Sequence, residues 1–167
     1  MSFGKGRSRI VQATASIPGS ATALVRHVYL EGRYAALSGD TETRDACARE
    51  LGKDAALNGV VVVLGFLAAS LNAYLAVRHG SPSRVTAATV DSLVGGSHLL
   101  SVYTQAYLRA KLATIQPATS PEQLAAAKPS PDYPRSGLGE LAVTTAAIGF
   151  VGFTASDAAL AIVHQGW

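Results

Sequence analysis

The chain has 167 residues, of which 49% are hydrophobic and only 15% are charged, and its formal net charge is +3. Soluble domains carry about 25% charged residues, so much of this surface need not face water. The basic residues form no dense stripe with interleaved aromatics, which argues against nucleic-acid binding, and the single cysteine excludes an intrachain disulfide and a cysteine-based metal site.

Residues 1–54 form the first predicted region, a basic tail followed by helices at the membrane surface. Before Glu31 the chain contains four Lys or Arg residues and no acidic one, and it is rich in Ser, Thr and Ala. This composition favours the cytoplasmic tail of a bacterial membrane protein, with an organellar import sequence as the alternative. An amphipathic helix is predicted over 20–37, and Asp40 is predicted to cap the next helix.

The stretch 55–77 contains no charged residue and predicts the first transmembrane helix. A helix of this length rises about 34 Å, enough for a hydrocarbon core of about 30 Å. Its four consecutive valines would suit a buried strand, but the uncharged run is far too long for one. Asn58, Gly65 and Asn72 recur every seven residues and predict a face that packs against other helices.

The stretch 85–108 has the length of a second span, but it carries Asp91, His98 and Gln105. A central Asp costs about 2.5–3.5 kcal/mol on insertion scales, so the alternative is a helix on the membrane surface or buried in a partner. Asp91 and His98 are two turns apart, and water could connect them into a proton or ion path that Asp157 joins. The competing interpretation is that each side chain hydrogen-bonds a neighbouring helix.

Residues 109–140 are predicted to form a proline-rich loop, interrupted by one helical turn where Ser120 caps and Pro121 takes the first position. The region 141–167 is the last predicted transmembrane helix, with Trp167 at the membrane interface. In it, three small residues predict a second helix-packing face: Gly149, Gly152 and Ser156.

Lysine and arginine are unevenly distributed about these three spans. The regions 1–54 and 109–140 hold all of them except Arg78 and Arg84, which lie in the turn after the first span. By the positive-inside rule the N-terminus is expected in the cytoplasm and the C-terminus outside. A bacterial inner membrane is the favoured location, and an organellar inner membrane is the alternative.

Motifs for nucleophilic catalysis, phosphate binding or a zinc protease are absent from the sequence. We therefore expect an all-α integral membrane protein without catalytic activity, cofactor or metal, whose partners are the lipid bilayer and other membrane subunits, with homo-oligomerisation as a further option. The leading hypothesis is a structural or accessory subunit of a larger membrane complex, such as an energy-transducing one. The alternatives are a small oligomeric channel or transporter with a path along Asp91 and His98 and, less favoured, a membrane enzyme using His98 with Asp91 or Asp157.

Overall fold

The computed structural model describes residues 25–129 and 137–164, with side chains from Thr144 onward in the second range. It contains α1 (described over 25–38), α2 (Thr41–His79), α3 (Pro82–Thr114), α4 (Pro121–Ala126) and α5 (Gly137–His164). No strand occurs within these ranges, which confirms the all-α prediction. The basic tail, its import-sequence alternative, part of the proline-rich loop and the predicted interfacial Trp167 lie outside the described residues.

The turn between α1 and α2 follows the predicted cap. Gly39 adopts a φ of 81°, a conformation that favours glycine. Asp40 Oδ1 then accepts a hydrogen bond from the Thr43 backbone N–H at 3.0 Å. That hydrogen bond holds the pKa of Asp40 below its ordinary value. From here α2 runs without interruption for 39 residues, so the predicted helix over 55–77 is its C-terminal part.

Local sequence features determine where α3 and α4 begin. Gly80 has a φ of 60° and follows the end of α2, and Pro82 takes the first position of α3, where its missing N–H is not needed. At α4, Ser120 Oγ accepts from the Gln123 backbone N–H, and Pro121 takes the first position. The helical turn predicted within the proline-rich loop is thus confirmed.

The described residues divide into two compact units. The first contains α1, α2 as far as Leu51, and the chain from Leu108 through α4. Its core consists of small and medium apolar side chains: Val25, Val28, Cys47, Leu51 and Leu112. Gly32 permits the close contact of α1 with this core, because a Cβ there would lie 2.9 Å from Cys47 Cβ and 3.0 Å from Leu112 Cδ1.

The second unit contains α2 from Gly52, α3 as far as Tyr107, and α5 from Thr144. In it α2 meets α3 at three levels: Asn58 with His98, Gly65 with Gly95, and Asn72 with Asp91. Residue numbers rise along α2 as they fall along α3, so the two helices are antiparallel. The contacts extend over about 21 Å of α2 and about 10 Å of α3.

Two of the described helices, α2 and α5 over Thr144–His164, are long and apolar enough to cross a bilayer by length and composition. Helix α3 is longer than α5 but is not one of these two. Polar residues within it, among them Asp91, His98 and Gln105, lower its mean hydropathy. A crossing by α3 therefore stays a prediction.

Cys47 provides a chemical test of the first unit, since it is the only thiol in the chain. It is buried, and desolvation raises its pKa to about 11, so at neutral pH the thiol is protonated and shielded. We expect Cys47 to react with a maleimide on the order of 100-fold more slowly in the folded protein than in denaturant. In the control, Ala46→Cys in a Cys47→Ala chain, the exposed thiol should react rapidly; equal rates at the two positions would contradict the core.

Candidate functional site

Asp91 lies where α2, α3 and α5 meet, and its side chain is 0% exposed. A carboxylate is costly to bury unless it is hydrogen-bonded. Both of its oxygens have donors: Asn72 Nδ2 donates to Oδ2 at 3.1 Å, and Thr154 Oγ1 donates to Oδ1 at 3.0 Å. Asp91 therefore joins α3 to α2 through one oxygen and to α5 through the other.

Asn72 uses both ends of its amide at this contact. Its Nδ2 also donates to the Ala68 carbonyl at 3.1 Å, and its Oδ1 accepts from Arg84 Nη1 at 2.9 Å. Because the amide nitrogen faces two acceptors and the amide oxygen faces a donor, the orientation of the side chain is fixed. Asn72 thus links the buried carboxylate of Asp91 to the guanidinium of Arg84.

Arg84 and Asp157 close the contact at its edge. Arg84 Nη1 donates to Asp157 Oδ2 at 2.6 Å, with the two side chains 25% and 53% exposed. An ion pair this exposed contributes little stability by itself. The ion pair does determine the position of α5 along its axis relative to the first turn of α3. We call the five residues Asn72, Arg84, Asp91, Thr154 and Asp157 the three-helix cluster.

A separate polar pair, Asn58 with His98, joins α2 to α3 farther along the unit. Asn58 Nδ2 donates to the Asp54 carbonyl at 2.8 Å, which leaves Oδ1 as the acceptor facing the half-buried His98. The 2.5 Å contact between Asn58 Oδ1 and His98 Nδ1 therefore requires a hydrogen on Nδ1. His98 acts here as a donor that fastens the two helices together.

Gly65 and Gly95 meet between the two polar groups. A Cβ placed on Gly65 would lie 3.0 Å from Gly95 Cα and 3.2 Å from the Asp91 carbonyl oxygen. Only glycine at position 65 allows the two backbones to approach this closely. Between Asp91 and His98, the backbones of α2 and α3 are therefore in direct contact.

The predicted proton or ion path comprised Asp91, His98 and Asp157. The structure connects Asp157 to Asp91 through Arg84 and Asn72, and it places His98 in the separate pair with Asn58. Among the described residues, no hydrogen bond joins His98 to the three-helix cluster. The path stays a hypothesis.

Gln105 is the remaining buried polar residue of α3. It is 1% exposed, and within the described ranges neither its Oε1 nor its Nε2 has a hydrogen-bond partner. The described side chains also form no group of three or more His, Cys, Asp or Glu residues that could hold a metal ion.

The two predicted helix-packing faces have different places in the structure. Asn58, Gly65 and Asn72 all lie in the contact between α2 and α3. On α5, a Cβ added to Gly149 or Gly152 would meet nothing within 4 Å, and Ser156 is exposed. Helix α5 packs within the chain through another side, which carries Thr144, Val151, Ala155 and Ala158. Its small-residue face therefore has no partner among the residues that the structure describes.

Two members of the three-helix cluster were not predicted from the sequence. Arg84 was read as a loop residue outside the membrane, although it lies seven residues before Asp91 and so on nearly the same face of a helix. Thr154 was not singled out, and only its position three residues before Asp157 distinguishes it from the other threonines.

Comparison with protein-family models, with curated proteins and with solved structures gives no match to this chain. The function is therefore inferred from the geometry of its own residues.

Substitution of Gly65 tests the backbone contact. In Gly65→Ala the new methyl group meets the backbone of α3, which cannot rotate away, so we expect the free energy of unfolding to fall by about 1–3 kcal/mol. The control is Gly96→Ala, where an added Cβ meets nothing within 4 Å. It should be neutral or slightly stabilising because alanine favours helix. Thermal unfolding in detergent micelles measures both, and equal effects would contradict the close approach.

Substitution of Asp91 tests the three-helix cluster. In Asp91→Asn the amide oxygen can accept from Asn72, and the amide nitrogen can donate to Thr154 Oγ1, whose own hydrogen can turn to the Val151 carbonyl 3.1 Å away. We expect this variant to be nearly as stable as the parent. In Asp91→Leu the Thr154 hydroxyl can likewise turn to the Val151 carbonyl, but Asn72 Nδ2 keeps only the Ala68 carbonyl and one of its hydrogens loses its buried acceptor. We expect this variant to lose about 1–3 kcal/mol of stability. Unfolding in micelles that ranks Asn as no better than Leu would contradict the hydrogen-bonded role.

Proposed function

We propose that this chain is a membrane-embedded helical protein that serves as a structural or accessory subunit of a larger membrane complex. The observation that carries the proposal is that the second unit buries several polar side chains beside its apolar ones while many of its large apolar side chains are exposed. Its buried side chains include Asn58, Asn72, Asp91, Gln105 and Thr144, whereas Val63, Leu100 and Phe153 are 68%, 67% and 73% exposed. Such an apolar surface is unfavourable in water and favourable in lipid.

The same distribution supports α3 as the third span. Its polar residues Asp91 and Gln105 are buried, and its outer surface carries Val90, Leu93 and Leu100. It also shares hydrogen bonds with both candidate spans, with α2 at Asn72 and with α5 through Thr154 and Asp157. A bilayer that surrounds α2 and α5 would then surround α3, and the cost of inserting Asp91 is offset by its two hydrogen bonds.

Aromatic residues at the two ends of the unit support the same placement. Tyr74 accepts a hydrogen bond from Arg78 at 2.8 Å near the end of α2, and Tyr103 is exposed towards the other end of α3. Tyrosine and arginine are common at the boundary of the hydrocarbon core. About 29 Å of helix separates Arg84 from Tyr103, close to the core thickness of about 30 Å.

The role as a subunit is supported by how the polar groups are used and by what remains uncovered. Asn72, Arg84 and Asp91 are all engaged in holding helices together. Only 17% of the apolar stretch of α5 is buried within the chain, and its small-residue face is open. In lipid, small residues on one helix face allow another helix to approach closely. The channel or transporter alternative needs a path from Asp91 to His98, and the Gly65–Gly95 contact between them favours the packing role.

Three spans place the two chain termini on opposite sides of the membrane, with the N-terminus in the cytoplasm. Reporter fusions at the two ends should therefore give opposite signals. Matching signals would show that α3 does not cross.

Membrane insertion itself predicts that washing with alkaline carbonate leaves the protein in the membrane pellet. Release into the supernatant would refute insertion altogether.

The subunit role is tested at the open face of α5. Gly152→Leu fills this face without making the helix less apolar, so we expect the protein to insert normally but to lose its co-purifying partners in mild detergent. The matched control is Ala146→Leu, which adds the same side chain to an exposed position of α5 beside Phe150 and Phe153. Partners retained equally by both variants would sink the idea that the face is an interface.

A further inference from the structure

One exposed face of the uninterrupted helix α2 carries two cations followed by a row of apolar side chains. Arg49 and Lys53 are one turn apart, and both are exposed. Spacings of three and four residues keep side chains on one side of a helix. Continued from Lys53, these spacings give four further exposed residues, all of them apolar: Ala56, Val60, Val63 and Leu67. We call this set of residues the α2 amphipathic stripe.

The two cations of the stripe have no ion-pair partner within the described part of the chain. Asp45 lies one turn before the first of them, but its Oδ1 is paired with Arg44 Nη2 at 2.8 Å. Glu50 and Asp54 follow the two cations directly in sequence, so each is turned about 100° around the helix from its neighbour. Like charges at positions i and i+4 repel each other, so the two cations together favour an anion bound between them.

The length of the stripe suits a phospholipid. Val63 lies about 15 Å along the helix axis from Lys53. This is half of a hydrocarbon core of about 30 Å, which is the depth that the acyl chains of one leaflet occupy. A free phosphate ion would use the cations alone and leave the apolar row uncovered. A phosphodiester headgroup that continues into acyl chains matches both parts of the stripe.

We propose that Arg49 and Lys53 bind the phosphate of an anionic phospholipid whose acyl chain lies along the apolar part of the stripe. The guanidinium can hold two phosphate oxygens at once, and the ammonium adds a point charge beside them. A zwitterionic lipid brings its own cation to the same place and therefore gains less. The proposal rests on the proposed membrane insertion and deepens it by naming the lipid class that one surface selects.

Quenching of a tryptophan by brominated lipids tests the proposal. In a Trp167→Phe chain, Ala56→Trp places the only tryptophan on the stripe. The full chain is reconstituted into mixed vesicles in which either phosphatidylglycerol or phosphatidylcholine is brominated, so quenching reports which lipid lies beside position 56. We expect phosphatidylglycerol to be preferred on the order of tenfold. Arg49→Gln with Lys53→Gln should reduce this preference to about one.

Two control variants and a second probe position separate the stripe from general effects of charge. Arg33→Gln with Lys128→Gln removes the same charge from exposed positions elsewhere and should keep the preference. Arg49→Lys with Lys53→Arg exchanges the two cations and should keep it as well. Leu67→Trp places the probe on the same stripe about 21 Å along the helix from the ammonium, and it should report no preference.

The outcomes distinguish the proposed site from the proposed insertion. Equal quenching at position 56 by the two brominated lipids would overturn the lipid site while the insertion stands. A preference that survives the loss of both cations would overturn it too, as would one that inorganic phosphate abolishes at constant ionic strength. If neither brominated lipid quenches the probe at position 56, the apolar face of α2 does not contact lipid and the proposed function itself is contradicted.

Discussion

A fully buried carboxylate needs hydrogen-bond donors, and the second unit meets this need by bringing three helices to Asp91. One oxygen accepts from Asn72 on α2 and the other from Thr154 on α5. Either helix displaced along its axis by one turn, about 5.4 Å, would leave an acceptor or a donor unsatisfied inside the bundle. The register of α2, α3 and α5 therefore depends on this residue, and Gly65 provides the close approach that lets the short side chains reach one another.

The two units differ in where they place polar and large apolar side chains. The first has an apolar core around Leu51 and Leu112 and carries its charged residues, such as Arg33 and Arg49, on the surface. The second buries amides and a carboxylate beside apolar residues such as Val61 and Leu75, and it exposes many of its leucine, valine and phenylalanine side chains. On α2 the boundary between the two units falls after Leu51, and on α3 it falls after Tyr107. Charged residues lie next to both points, at Lys53 and Arg109, as expected where a helix leaves a hydrocarbon core.

Much of the fold was predictable because its signals are local. The Asp40 cap, the Ser120 cap and the uncharged run over 55–77 each act within one helix. The three-helix cluster was predictable only in part, because Arg84 and Asp157 are 73 positions apart in sequence and their meeting depends on how α5 docks. The sequence also does not distinguish which small-residue face packs within the chain. Gly65 and Gly152 are alike in the sequence, yet Gly65 meets Gly95, whereas a Cβ at Gly152 would meet none of the described residues within 4 Å.

Contact between α3 and lipid decides most directly whether the second unit is a membrane bundle. Spin labels at Leu93 and Leu100, in protein reconstituted into liposomes, can be compared by their collision rates with oxygen, which concentrates in lipid, and with a water-soluble nickel chelate. A membrane bundle predicts frequent oxygen and rare nickel collisions at both positions, as at Val63 on α2, and the reverse at Arg49 in the first unit. Nickel collisions at Leu93 and Leu100 as frequent as those at Arg49 would contradict the placement of α3 in the bilayer.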